Sequence, residues 1–137
     1  MRDLGLPSAW APPLLSLLRI VTAAIFMVHG AQKLLGYPPM PPGGAVPPPL
    51  SLFWFGGLLE LFGGGLLLVG LFSRPVAFIL SGEMAVAYWM FHAPQSPWPA
   101  VNMGDAAILY CFVFLYIAAA GPGPWSLDSR LASGGRR

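Results

Sequence analysis

Six ionisable side chains stand where ionisation is costly. Arg19, His29, Lys33, Glu60, Glu83 and Asp105 all fall inside long apolar runs or at their edges. A charge at the middle of a bilayer costs about 2.5–3.5 kcal/mol on insertion scales, so each of these groups calls for a partner or a watery cavity. Bases facing carboxylates in such surroundings can do two things. They can tie helices together as buried ion pairs, or they can hold and pass protons beside a polar head group.

The spacing sorts the six. His29 and Lys33 are i, i+4 neighbours. Arg19 and Lys33 are fourteen residues apart, which leaves only about 40° between them around a helix, so the first apolar run carries a basic stripe. Glu60 sits in FGGLLELFGGG, with Gly56 and Gly64 at i±4 and Gly57 and Gly63 at i±3. Those glycines share a face with the carboxylate and let another backbone approach closely, so Glu60 is expected to point into a helix interface. Its expected partners are Arg19 or the His29/Lys33 pair. Glu83 is nine residues before His92, which aims the two in opposite directions. His92 is expected at a solvated rim, on one face with Ser81, Ala85 and Tyr88. Asp105 is expected near the end of its run.

The elements that must position these residues are read from apolarity. Of the 137 residues, 56% are hydrophobic and 9% charged, and mean hydropathy is +0.69. Soluble domains are about 25% charged, and a chain this short has too little interior to hide so much apolar surface. Four runs of near membrane length predict an all-α bundle of four transmembrane helices at residues 13–36, 50–72, 75–92 and 103–120. YPPMPPGGAVPPP, residues 37–49, is too rich in proline for a helix. Ser73-Arg74 is so tight a turn that the second and third helices should lie antiparallel and adjacent. GPGPWSLD ends the fourth, leaving a tail over 121–137.

Four spans put both termini on the side of the 73–74 turn, with Arg2, Arg74, Arg130, Arg136 and Arg137. The opposite side receives Lys33, so the basic bias predicts cytoplasmic termini and an outer Pro-rich loop, in a bacterial or archaeal cell membrane. No A-x-A site follows the first run, which therefore reads as an uncleaved span. Trp54, Trp89 and Trp98 would form an outer aromatic belt, with Trp10 and Trp125 at the inner interface.

The same counts exclude function classes. Net charge is +2 and no basic patch is visible, which argues against nucleic-acid binding. Cys111 is the single cysteine, so the chain has no intrachain disulfide, CxxC pair or haem-attachment motif, and Cys111 itself reads as a small buried hydrophobe. His29 and His92 are expected at unequal depths, which disfavours a bis-histidine haem. No Glu-x-x-His spacing suggests a metal.

The order of three stretches resembles the DoxX family of small four-span membrane proteins. They are RIVTAAIFMVHGAQKL, GGLLELFGGGLLLVGLFSRP, and NMGDAAILY followed by GPGPWSLD. The likeness runs from about Leu15 to Asp128. Matching positions are Arg19, His29, Gly30, Lys33, Glu60, Arg74, Asn102, Asp105 and Asp128. The resemblance implies oxidoreduction at the membrane. One branch is linked to thiosulfate:quinone oxidoreductase, and others to quinone detoxification or to complexes handling thiol and radical stress. This chain departs from a self-sufficient redox enzyme: it shows no flavin fingerprint, dithiol or iron–sulfur ligand set, and its 37–49 loop looks longer than the family pattern needs.

Three functions follow as expectations. One is a membrane subunit of a quinone-linked oxidoreductase system, with a quinone head group near His29, Lys33 and Glu60 and no intrinsic cofactor. Another is a non-catalytic accessory subunit of a larger respiratory or photosynthetic complex. The third is a small transporter, although inverted repeats and broken helices, usual in transporters, are not visible. A cavity reaching lipid near those residues would favour the first.

Overall fold

Proline and glycine punctuate the helices as their backbone limits require. The computed structural model describes residues 8–135, which form helices and connectors and no strand. Helix α1 (Ala11–Leu35) has proline in its first turn, where no N–H is needed, and extends a short 3-10 turn at Ser8–Trp10. It stops at Gly36, whose φ of 66° is left-handed and whose N–H returns to the Gln32 carbonyl at 3.1 Å.

Helix α2 (Leu52–Val69) begins at Ser51, whose hydroxyl accepts the Trp54 N–H. A π turn, Leu59–Gly63, interrupts it and contains Glu60. Gly70 closes it in a left-handed conformation, with Leu71 N–H on the Leu66 carbonyl and Gly70 N–H on that of Leu67. Helix α3 (Ser73–Ala87) follows and runs into a second π turn, Tyr88–His92. After a proline-rich bend come α4 (Pro99–Asn102), α5 (Asp105–Ala120) and α6 (Leu127–Gly134).

These bounds shift the expected runs. The second ends at Gly70 because glycine takes the turn there, and the third begins earlier, at Ser73. The fourth starts at Asp105, after Met103 and Gly104 break it from α4, a helical turn inside the expected connector. The expected tail contains α6. Arg2, Arg136 and Arg137, used to orient the chain, lie outside the described residues.

Among the described residues two helical stretches are long and apolar enough to cross a membrane: Ser8–Leu35, with 28 residues, and Leu52–Val69, with 18. α1 packs along α2, and α3 packs most extensively along α5. α2 and α3 are neighbours, as the tight turn requires, whereas the α1 and α5 backbones stay apart and meet through aromatic side chains. The shared core is Phe26, Leu67, Leu80, Phe114 and Ile117, with the Phe26 and Phe114 rings edge to face at 4.8 Å. Outside it the helices are as apolar as within. Ile25 is 53% exposed, Phe78 66% and Phe112 65%. Such a rind suits hydrocarbon rather than water as the surrounding solvent.

Candidate functional site

The glycines around Glu60 do what their spacing predicts. A Cβ on Gly64 would meet Met27 Cγ at 2.6 Å, and one on Gly57 would meet Lys33 Cβ at 2.9 Å, so both open α2 to α1. On the other side a Cβ on Gly63 would meet Leu80 at 2.9 Å, and one on Gly56 would lie 3.2 Å from Glu83 Oε1. α1 contributes its own small residue, Gly30, which rests against the Leu61 and Gly57 backbone. The π turn adds a residue to the helical circuit at this crossing, a feature frequent at functional sites.

Glu60 is thereby brought inside, 3% exposed, and Lys33 Nζ donates to its Oε1 at 2.6 Å. Lys33 is a quarter exposed. Of the expected partners, Lys33 is the one that closes on Glu60. Glu60 Oε2 and Glu83 Oε2 are both buried and accept no hydrogen bond. Two acceptors without donors, beside one ammonium, are costly in an apolar setting unless a ligand, a proton or water meets them.

Two cavities supply the space. The first, about 270 Å³, lies between α2 and α3; Lys33, Glu60 and Glu83 sit among Phe55, Leu59 and Val86. The last three are also outward-facing side chains, so this cavity opens through the apolar rind. The second, about 290 Å³, shares Lys33 and Glu60 but is walled by His29, His92, Ala106 and Tyr110. His29 and Tyr110 meet ring to edge at 6.2 Å. His92 is half-buried and its Nδ1 donates to the Asn102 carbonyl at 2.9 Å, which ties the second π turn to α4. The buried Asn102 folds that corner, donating to Ser96 and accepting from the Gly104 N–H. Tyr110 was not singled out by the sequence; its hydroxyl within the apolar run after Asp105 was the available signal.

The structure thus gathers His29, Lys33, Glu60 and Glu83, and leaves two candidates elsewhere. Asp105 is exposed in the first turn of α5, outside both cavities. Arg19 is fully buried at the opposite end of the bundle, about 21 Å along α1 from Lys33. It serves carbonyls rather than Glu60. Nη1 donates to Leu67 and Leu68 in the last turn of α2, Nε to Pro122 at 2.9 Å, and Nη2 to Trp125. Both ends of the basic stripe reach α2, Lys33 at a carboxylate and Arg19 at the negative end of the helix, whereas His29 is exposed beside Tyr110.

Two more charges at that end obey the same rule. Arg74 donates to the Ala118, Ala119 and Ala120 carbonyls that end α5. Asp128 accepts the Phe72 and Ser73 N–H groups that begin α3, each at 2.9 Å. Burial alone would raise the Asp128 carboxyl, but those bonds and the nearby Arg19 charge hold it below its ordinary value. Ser81 pins α3 to α5 by donating to the Cys111 carbonyl at 2.8 Å. Among the described residues no three His, Cys, Asp or Glu side chains converge as metal ligands would.

Known proteins share this framework. The DoxX family profile matches residues 14–93, which include most of α1, all of α2 and α3 and all four gathered residues. An uncharacterized protein of Haemophilus influenzae is 41% identical over 126 residues, covering 88% of this chain and 92% of its own. An uncharacterized membrane protein of Mycobacterium tuberculosis is 25% identical over 138 residues, covering 90% and 85%. No solved structure matches significantly.

Proposed function

This chain belongs to the DoxX family of membrane proteins, and on that premise we propose that it is a membrane subunit of a quinone-linked oxidoreductase system. The carrying observation is the α2–α3 cavity. It opens through the apolar rind, where a lipid-dissolved ring could enter, and it ends on Lys33, Glu60 and Glu83. Lys33 would donate to a quinone oxygen. The free carboxylate oxygens would accept from the hydroxyls of the reduced form. Electrons would come from a partner subunit, since the chain carries no redox group of its own sequence-encoded kind.

The reading includes four crossings of a bacterial or archaeal inner membrane as one domain, with α3 and its π turn and α5 completing the set begun by α1 and α2. Arg19, Arg74 and Arg130 would face the cytoplasm and the Lys33 end the exterior. The outward row Leu109, Phe112, Leu115 and Tyr116 on α5 favours a second reading, that of an accessory subunit docked by this face in a larger complex.

Binding decides first. Purified protein in lipid nanodiscs is titrated with a short-chain quinone and its quinol. Saturable binding, weakened about tenfold or more by Glu60→Gln and by Glu83→Gln but unchanged by Asp105→Asn, is expected. Absence of saturable binding sinks the quinone reading. Stoichiometric recovery with a large complex from mild detergent, without bound quinone, establishes the accessory one.

A further inference from the structure

Two cavities meet at one ion pair and open on different walls. The α2–α3 cavity is lined by apolar side chains up to its carboxylates. The other lies where the C-terminal half of α1, the second π turn and the start of α5 converge, beside the packed rings of Phe26 and Tyr110. The exposed His29, Met103 and Ala106 are among its lining residues and open it to the surface. Its titratable groups are His29 and Lys33 from α1, Glu60 from α2, His92 from the second π turn and Tyr110 from α5, while α3 adds only the apolar Met84 and Ala87. Glu83, on α3, faces the first cavity.

We propose that this second cavity is the proton port of Glu60, carrying protons between that carboxylate and the water at the loop end by way of His29, His92 and Tyr110. Glu60, which lines this cavity, is 3% exposed and its Oε2 has no donor, so an incoming proton has a vacant acceptor there. At the mouth, a carbonyl oxygen can only accept, so His92 Nδ1 carries its hydrogen toward Asn102 and leaves Nε2 as a base. Inward transfer takes a proton from hydronium to an imidazole and then from the imidazolium to the Glu60 carboxylate. Outward transfer reverses both steps, and no electron moves.

The inference rests on the quinone reading only for what Glu60 does with the proton. Its test therefore uses no quinone. In a Cys111→Ala background in lipid nanodiscs, Ala106→Cys samples the second cavity and Val86→Cys the first. A charged thiol reagent should label Ala106→Cys at least about tenfold faster than Val86→Cys, because a thiol in apolar surroundings forms less thiolate. A lipophilic maleimide should lose that preference. Infrared spectroscopy after a pH jump then follows the carboxyl band that Glu60→Gln removes; His29→Phe should slow its rise about tenfold or more, as loss of a proton relay does. Equal labelling by the charged reagent, no Glu60 band, or an unchanged rate in His29→Phe each overturns the port. A chain that binds no quinone leaves all three readouts intact.

Discussion

Arg19 and Lys33 are two cations on one face of one helix, and their surroundings give them opposite tasks. Lys33 meets a carboxylate, keeps a quarter of its surface open and borders both cavities. Arg19 is sealed and surrounded by carbonyls from two segments far apart in sequence. A planar guanidinium suits that role because its fork reaches several acceptors at once, which an ammonium does not. Arg19→Ala strips donors from buried carbonyls and is expected to destabilise the protein by about 3–5 kcal/mol, with Arg19→Lys recovering only part. Unfolding of the purified variants in mixed micelles measures this. The quinone affinity of any folded Arg19→Lys should stay near that of the parent, since the residue is remote from the cavities.

At the scale of the helices, closeness between α1 and α2 is what delivers Lys33 to Glu60, and glycine permits it. A methyl on Gly30 would stand 2.5 Å from the Leu61 nitrogen, which is backbone and cannot turn aside. Gly30→Ala must push the helices apart, at a cost of about 1–3 kcal/mol, and loosen the ion pair. Gly82 is the control: a Cβ there meets nothing within 4 Å. Gly82→Ala should be neutral or stabilising by about 0.5–1 kcal/mol, through backbone entropy alone. Thermal unfolding of the two variants side by side separates close approach from helix propensity.

The molecule as a whole is latched at one end and open at the other. Around the 121–128 segment, Arg19 and Arg74 cap helix C-termini and Asp128 caps the α3 N-terminus, each with the sign the helix dipole favours. At the other end the helices part around the two cavities. Because folding holds the Asp128 carboxyl below its ordinary value, its contribution is present at neutral pH. It is lost as pH falls from the unfolded value, about 3.9, through the lower folded one. Asp128→Asn should therefore melt earlier than the parent near about pH 7, and the gap should narrow toward about pH 3. Melting curves of both proteins across that range check it; a gap that widens on acidification contradicts the latch.

The sequence by itself determined the all-helical character, the membrane habit, the family, and the inward turn of Glu60. The family rests on the order of three stretches, and the other properties are written in local pattern: apolar runs of bilayer length, prolines between them, glycines at i±3 and i±4. Lys33 was legible as one of Glu60's expected partners for the same reason. Only the tertiary structure decided which base closes the pair, since helical phase fixes a face and says nothing of what lies opposite at each depth. It alone showed Arg19 bound to carbonyls, because backbone acceptors leave no mark in a sequence. That His92 and Tyr110 line one cavity with Glu60 was likewise hidden. Counting residues at 100° each assumes an unbroken α-helix, and the π turn at Tyr88–His92 breaks that count where His92 is placed.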